Sequence, residues 1–328
     1  MITATDMDYH LADPDAFNWV ETNAFHFSVP GEGITGYTYV LTRPNAGVCH
    51  SSIYIYKGFC ESAADVLWAD ARMHLPLPAS LLDFDLPNGF GTTVVNGPND
   101  YRVRYHSNDG ACHFEFDWTG IAGPYDPHDA NQNPLRRMAA DATAAGGWGE
   151  AWSNGHFDML GHAQGTLTLD GRTYRIDSVD AMDHSWGPRP EWDMGSIGWQ
   201  MMTFGPDLAF HILLPLELDG EKTRYGPLTF GHMCENGKIV GLVSAEIYAV
   251  KQGRFPKSQT VTLTDELGRI WIMQGEAVSW APWHTSYPSF IIWGGLFRWT
   301  MGERTGQSNV MEVFGTGTLG RLARAARL

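Results

Sequence analysis

The stretch DAMDHSWGPRPEW, residues 180 to 192, places three acids, a histidine and two tryptophans within thirteen positions. Asp183 beside His184 supplies a proton donor and a group able to set its charge, and Trp186 and Trp192 could wall off water. The plainer reading makes Asp183 a turn-stabilising acceptor and packs His184 into a sheet. Spacing alone leaves both open. Outside this stretch the acids that could work against Asp183 are Glu21 in WVETNAF, alternating with Trp19 and Asn23, and Glu312 in NVMEVFG. Each could equally be an outward carboxylate. Trp199 joins Trp186 and Trp192 as a candidate wall of an apolar site.

Other chemistries lack their signatures. There is no GxSxG for a nucleophile elbow and no GxxxxGK[ST]. His156, His162, His211 and His232 form no HxH or HExxH pattern, which disfavours a metal site. The expectation is a reaction without cofactor or metal.

These residues need elements to position them, and period-two alternation supplies strands. In YRVRYHSNDGACHFEFDW (101 to 118), apolar and polar residues alternate on both sides of Asn108-Asp109-Gly110, which predicts a hairpin. Similar patterns flank Asp170-Gly171 and Asn236-Gly237 and run through 208 to 218 and 261 to 275. RTYRID predicts a strand that gives way to an irregular turn at DHSWG. Helical spacing is confined to an excursion at 127 to 152 and a tail at 319 to 328, while 62 to 73 fits helix or strand. The fold class expected is all-β: two antiparallel β-units of similar size, residues 1–174 and 175–328, packed tightly with a pocket at their interface.

Among 328 residues, 22 basic against 37 acidic side chains leave a formal charge of −15, which argues against nucleic-acid or anionic-membrane partners. No apolar run approaches the ~20 residues that span a bilayer, so no transmembrane segment is expected. The acidic N-terminus does not look like a signal peptide and the four dispersed cysteines look like reduced core thiols; a cytoplasmic location is expected. The tract from Trp280 to Trp299 holds Trp283, Tyr287, Phe290, Trp293 and Phe297, read mainly as core with some residues lining a ligand site.

DHSWG, with its lead-in GTLTLDGRTYRIDSVDAM, resembles the DHxWG-type signature of the carotenoid 1,2-hydratase (hydroxyneurosporene synthase) and AttH-like superfamily, which includes kievitone hydratase and lipocalin-like Diels–Alderases. AFNWVETNAFHFSVP, carrying Trp19, Glu21 and His26, looks like the family's first Trp-x-Glu strand, and GERTGQSNVMEVFGTG like its closing segment. The resemblance implies tandem lipocalin-like β-barrel or sandwich domains and a hydrophobic ligand near their junction. Its activities span water addition to isoprenoid double bonds and pericyclic ring closure. The combined reading is a cofactor-independent hydratase, dehydratase or isomerase acting on a lipophilic isoprenoid, terpenoid or prenylated phenolic. Asp183 would be the general acid, His184 its holder or a water activator, and Glu21 or Glu312 the base. Trp19, His26, Trp186, Trp192 and Trp199 would contact substrate. A non-catalytic carrier and a pericyclase are the alternatives. The partner expected is a hydrophobic small molecule, and a homodimer is compatible with the sequence.

Overall fold

The dipeptides Asp170-Gly171 and Asn236-Gly237 both have positive φ at each residue (47° and 79°; 50° and 76°) in the computed structural model. Two successive left-handed residues make the turn whose twist matches that of antiparallel strands, and Asp or Asn before Gly tolerates this best. Both dipeptides therefore close hairpins, as their sequence context predicts. The structure describes residues 1–10, 13–138, 152, 154–189, 195–219, 222–284, 287 and 289–325.

The first sheet is built from β1 (Trp19–Val29), β2 (Ile34–Arg43), β3 (Val48–Lys57), β4 (Trp68–Pro76), β5 (Asp83–Asp85), β6 (Phe90–Asn96), β7 (Asp100–His106), β8 (Cys112–Gly120), β9 (Gly155–Leu169) and β10 (Arg172–Pro188). Its order is β4-β3-β2-β1-β10-β9-β8-β7-β6-β5, a curled ten-strand half-barrel. The second comprises β11 (Ser196–Thr203), β12 (Leu208–Asp219), β13 (Lys222–Tyr225), β14 (Phe230–Glu235), β15 (Lys238–Gln252), β16 (Phe255–Asp265), β17 (Ile270–Trp283), β18 (Phe290–Met301) and β19 (Arg304–Gly315). Pairing of β11 with both β12 and β19 closes eight of these into an antiparallel barrel, with β13 attached to β12. Among the described residues the two α-helices are short: α1 (Pro134–Met138) lies in the expected excursion and α2 (Thr316–Ala325) forms the tail. Residues 139–151 of the excursion lie outside the described residues. The ambiguous segment 62 to 73 yields β4 from Trp68 onward. Among the described residues no helix is long and apolar enough to cross a membrane.

DHSWG does not end a strand. β10 runs on to Pro188 because β1 pairs along it from Trp19 opposite Pro188 to Phe25 opposite Met182. Residue 175 falls inside this strand, which belongs to the first sheet.

Alternation gives each strand two destinations, and three cores result. Phe25, Phe27, Phe116, Trp118, Met159 and Trp186 fill the half-barrel. Phe210, Ile212, Met273, Trp280, Phe297 and Trp299 fill the barrel. Tyr37, Tyr56, Trp199, Leu213, Trp283 and Phe290 pack between the two units. The aromatic tract 280 to 299 thus divides between the barrel core and the junction. All four cysteines are buried and unpaired.

Candidate active site at the junction

Asp183 and His184 are neighbours in sequence, so β geometry sends them to opposite faces of β10. The pairing expected between them does not form. His184 faces the half-barrel with Trp186, whose ring centroid lies 5.4 Å from its own. Asp183 faces the junction, opposite Asp158 of β9 and Ala24 of β1 in register.

Glu21 and Glu312 go elsewhere again. Glu21, 1% exposed, faces the half-barrel: Oε1 accepts the backbone N–H of His10 at 2.7 Å, and Oε2 lies 3.2 Å from His10 Nδ1 and 3.8 Å from His184 Nε2. Burial raises the Glu21 pKa, an effect partly offset by His10. Burial likewise pushes His184 down to about 3, with the charge of His10 adding to it. Glu312 points into the barrel, where Lys251 Nζ donates to it at 2.6 Å and the Tyr225 hydroxyl also donates. The four candidates for acid and base therefore occupy three separate compartments. Trp19 is buried against the half-barrel core, while His26 and Trp199 face the junction with ring centroids 5.0 Å apart. Trp192 lies outside the described residues.

What the junction brings to Asp183 is a pair that adjacency in sequence does not suggest. On β9, His156 and Asp158 are two apart and share a face, and His156 Nε2 is 3.0 Å from Asp158 Oδ2. Trp199 Nε1–H donates to the other oxygen at 3.1 Å, and His211 Nδ1 lies 3.6 Å from Oδ2. Burial alone would raise the Asp158 pKa, but His156 and His211 more than reverse that and hold it well below the usual carboxylate range. His156 is raised in turn: burial opposes its charge and Asp158 outweighs burial. Asp183 has no such partner. Burial pushes its carboxyl up to about 7; the charge of His156 pulls against this and that of Asp158 adds to it. Two carboxylates facing one space on neighbouring strands thus have proton affinities driven apart, which is how proteins create an acid and a base from one residue type.

A file of rings extends from this cluster. Tyr37 and His26 (4.8 Å between centroids), His26 and Trp199 (5.0 Å), Trp199 and His211 (4.8 Å), His211 and His232 (5.6 Å), and His232 and Tyr125 (4.3 Å, stacked) follow one another. Neither ring nitrogen of His26, His211 or His232 finds a hydrogen-bond partner in the protein, though all three residues are buried. Burial pushes them down to about 3, 4 and 3, so they are neutral imidazoles at pH 7. Leaving such groups unsatisfied costs about 1–3 kcal/mol each. Asp183 itself is only half-buried where Ala24, Asp158 and His156 are almost wholly enclosed. Two surface depressions of about 500 Å³ lie apart from this cluster, one lined by residues of both units including Pro30, His162, Asp177, Thr203 and Arg298, the other by Val29, Arg172 and Tyr174 among others. Neither includes Asp183.

Asp180, the other aspartate of the opening stretch, serves as a clasp between the units. Asn309 Nδ2 donates to Asp180 Oδ1 at 2.8 Å, Ser28 Oγ donates to Oδ2 at 3.3 Å, and Thr35 donates to Asn309 Oδ1 at 2.6 Å.

Asp158 and His156 were detectable as an H-x-D pair on a strand. His10 gives no signal, since it lies outside any periodic segment, and His211 and His232 become neighbours only through the register of β12 and β14.

Solved structures that share this fold include two at low identity. Kievitone hydratase from Nectria haematococca aligns with a TM-score of 0.51 at 11% identity, covering 91% of this chain and 89% of its own. A putative AttH from Nitrosomonas europaea aligns with a TM-score of 0.52 at 12% identity, covering 90% and 92%. No curated protein matches the sequence. Over residues 3–313 the sequence matches the model of a domain of unknown function, DUF7064, and the chain belongs to that family.

Proposed function

We propose that the junction face of β9 and β10 is an acid–base site for hydrating, dehydrating or isomerising a lipophilic, unsaturated small molecule of isoprenoid, terpenoid or prenylated phenolic type. The observation that carries this reading is the opposed pair of carboxyls, Asp183 with its pKa near 7 and Asp158 held ionised beside His156, at a junction packed with aromatic and aliphatic side chains. In the hydration direction, the Asp183 carboxyl gives its proton to one alkene carbon and leaves a tertiary cation on the other. The faces of Tyr37 and Trp199 stabilise that cation, by about 2 kcal/mol each when desolvated. Water then bonds to the cation while losing a proton to the free nitrogen of neutral His211, whose Nδ1 side faces the Asp158 carboxylate. Return of the proton to Asp183 resets the site. Elimination is the reverse. The fold shared with kievitone hydratase is compatible with this chemistry, but at 11% identity that likeness concerns the fold, and the argument rests on the cluster.

The test is to incubate isoprenoids and prenylated phenolics with the protein in D2O and follow deuterium at the alkene carbons by mass spectrometry. Incorporation by the native protein, lost in Asp183→Asn, is the expected result. Tight binding without exchange would make the protein a carrier. Turnover that survives Asp183→Asn would indicate a pericyclase that needs shape and no acid.

A further inference from the structure

His10, Glu21 and His184 offer three potential ligand atoms that all lie within 4.8 Å of one another. Two of the separations, 3.2 Å from His10 Nδ1 to Glu21 Oε2 and 3.8 Å from His184 Nε2 to the same oxygen, are close to the roughly 3.4 Å between ligands at about 2.1 Å in a tetrahedral zinc shell. Each donor is oriented from behind. The ring of His184 hydrogen-bonds to the Thr22 backbone, and its Nε2, in a side chain 2% exposed, has no hydrogen-bond partner and is aimed at Glu21. The other nitrogen of His10, Nε2, lies 3.5 Å from Asp6 Oδ1, the carboxylate–imidazole arrangement that usually stands behind a metal-bound histidine. Trp186 stacks on the His10 ring at 3.6 Å with planes 7° apart and fixes its orientation. Glu21 Oε1 is occupied by the His10 backbone N–H, and Oε2 hydrogen-bonds to the His10 ring, so a bound ion would take the place of that one proton.

We infer that His10, Glu21 and His184 form a binding site for one divalent transition-metal ion of the zinc type, completed by water, which fastens the N-terminal segment across the half-barrel. Two imidazoles and one carboxylate suit Zn(II), Co(II) or Fe(II) rather than Mg(II) or Ca(II), which favour oxygen. The segment is already bound at several points: Met7 is buried in the half-barrel core, and Asp8 accepts from Ser80 Oγ at 2.9 Å and the Leu81 N–H at 2.8 Å. A metal would add its strongest attachment, on the face of β10 opposite Asp183. The motif would then serve two sites, Asp183 the junction and His184 with Trp186 the metal.

The experiment uses the full chain, stripped with a chelator and titrated with Co(II) and then Zn(II), followed by the visible d–d bands of cobalt and by the thermal midpoint. Uptake of one equivalent, bands of a nitrogen- and oxygen-ligated ion, displacement by Zn(II) and a rise in midpoint are expected. His10→Ala and Glu21→Gln should each weaken Co(II) binding at least tenfold, and Asp6→Asn about tenfold. His10→Ala removes a side chain from a peripheral segment, so it keeps the test valid if Glu21→Gln does not fold. No uptake by the native protein, or uptake undiminished in His10→Ala, would overturn the inference.

Discussion

Replacing Asp183 with Asn should make the protein more stable at neutral pH and leave it unchanged in acid. The carboxyl has a pKa of about 7 in the folded chain against an ordinary value of 3.8, because burial disfavours its charged form. Each tenfold change in proton affinity corresponds to about 1.36 kcal/mol, so the full difference is about 4 kcal/mol. The residue is only half-buried, which admits screening, and about 2–4 kcal/mol is the expected range. The sign follows from proton counting: between about pH 4 and pH 7 the folded chain holds a proton that the unfolded chain has released. Stability from this group is therefore fully present below pH 4, declines as pH rises, and is lost above about pH 7. Asn has nearly the same shape and does not titrate. Urea unfolding of both proteins from pH 4 to pH 8 should give coincident stabilities at the acid end and a gap that widens with pH to about 2–4 kcal/mol in favour of the variant. The contribution from Asp180 is common to both proteins and cancels in the difference, whereas His156 and Asp158 feel the charge of Asp183, so that coupling forms part of the gap. A gap that stays constant with pH, or a variant less stable at pH 8, would refute the placement of Asp183 in a desolvated site.

Two further substitutions probe the other compartments. Lys251→Met leaves the Glu312 carboxylate inside the barrel without its ion-pair partner, 2.6 Å away in the native chain, and should cost about 3–5 kcal/mol by urea unfolding, with much of the loss recovered in the Lys251→Met/Glu312→Gln double variant. A double variant no better than the single one would mean that the pair has no energetic coupling. In Gly155→Ala, the added Cβ would sit 1.9 Å from the Trp186 ring, so either the indole or β9 must move. A loss of about 1–3 kcal/mol and a shift in tryptophan fluorescence are expected, and native stability with an unshifted spectrum would contradict this packing.

The strands were legible because their cause is local. Alternation in 101 to 118 follows from one wet and one dry face, and Asp-Gly and Asn-Gly close hairpins through backbone preference alone, so neither needs knowledge of the rest of the chain. The chemistry was legible only where it obeyed the same local rule. Glu21 shares a face with Trp19, and His184 with Trp186, because i and i+2 align on a strand. Asp183 and His184 looked like a pair because they are adjacent, and adjacency on a strand is what separates them. The error arose from expecting a turn at DHSWG, where successive side chains can converge; the long pairing with β1 keeps this segment extended. Asp158, 25 positions before Asp183, faces it only because the hairpin register aligns them, and His211 reaches Asp158 only through packing of the barrel wall on the half-barrel.

This division of β10 has a consequence for how acid–base chemistry can be built on a sheet. A general acid must be kept protonated by desolvation, whereas its partner base needs a compensating charge, and the two requirements conflict if both groups share one cation. Asp183 and Asp158 are close enough to address one substrate, yet the imidazole within hydrogen-bonding distance belongs to Asp158 alone. Had His184 stood on the junction face as well, a second imidazole beside Asp183 would stabilise its carboxylate and draw its pKa back toward the ordinary range, and the proton needed for an alkene would be absent at pH 7. Sending His184 to the far side, where burial keeps it neutral, is thus a condition for Asp183 to act as an acid. The same extended backbone that defeats a pairing by adjacency protects the proton on which the proposed reaction depends.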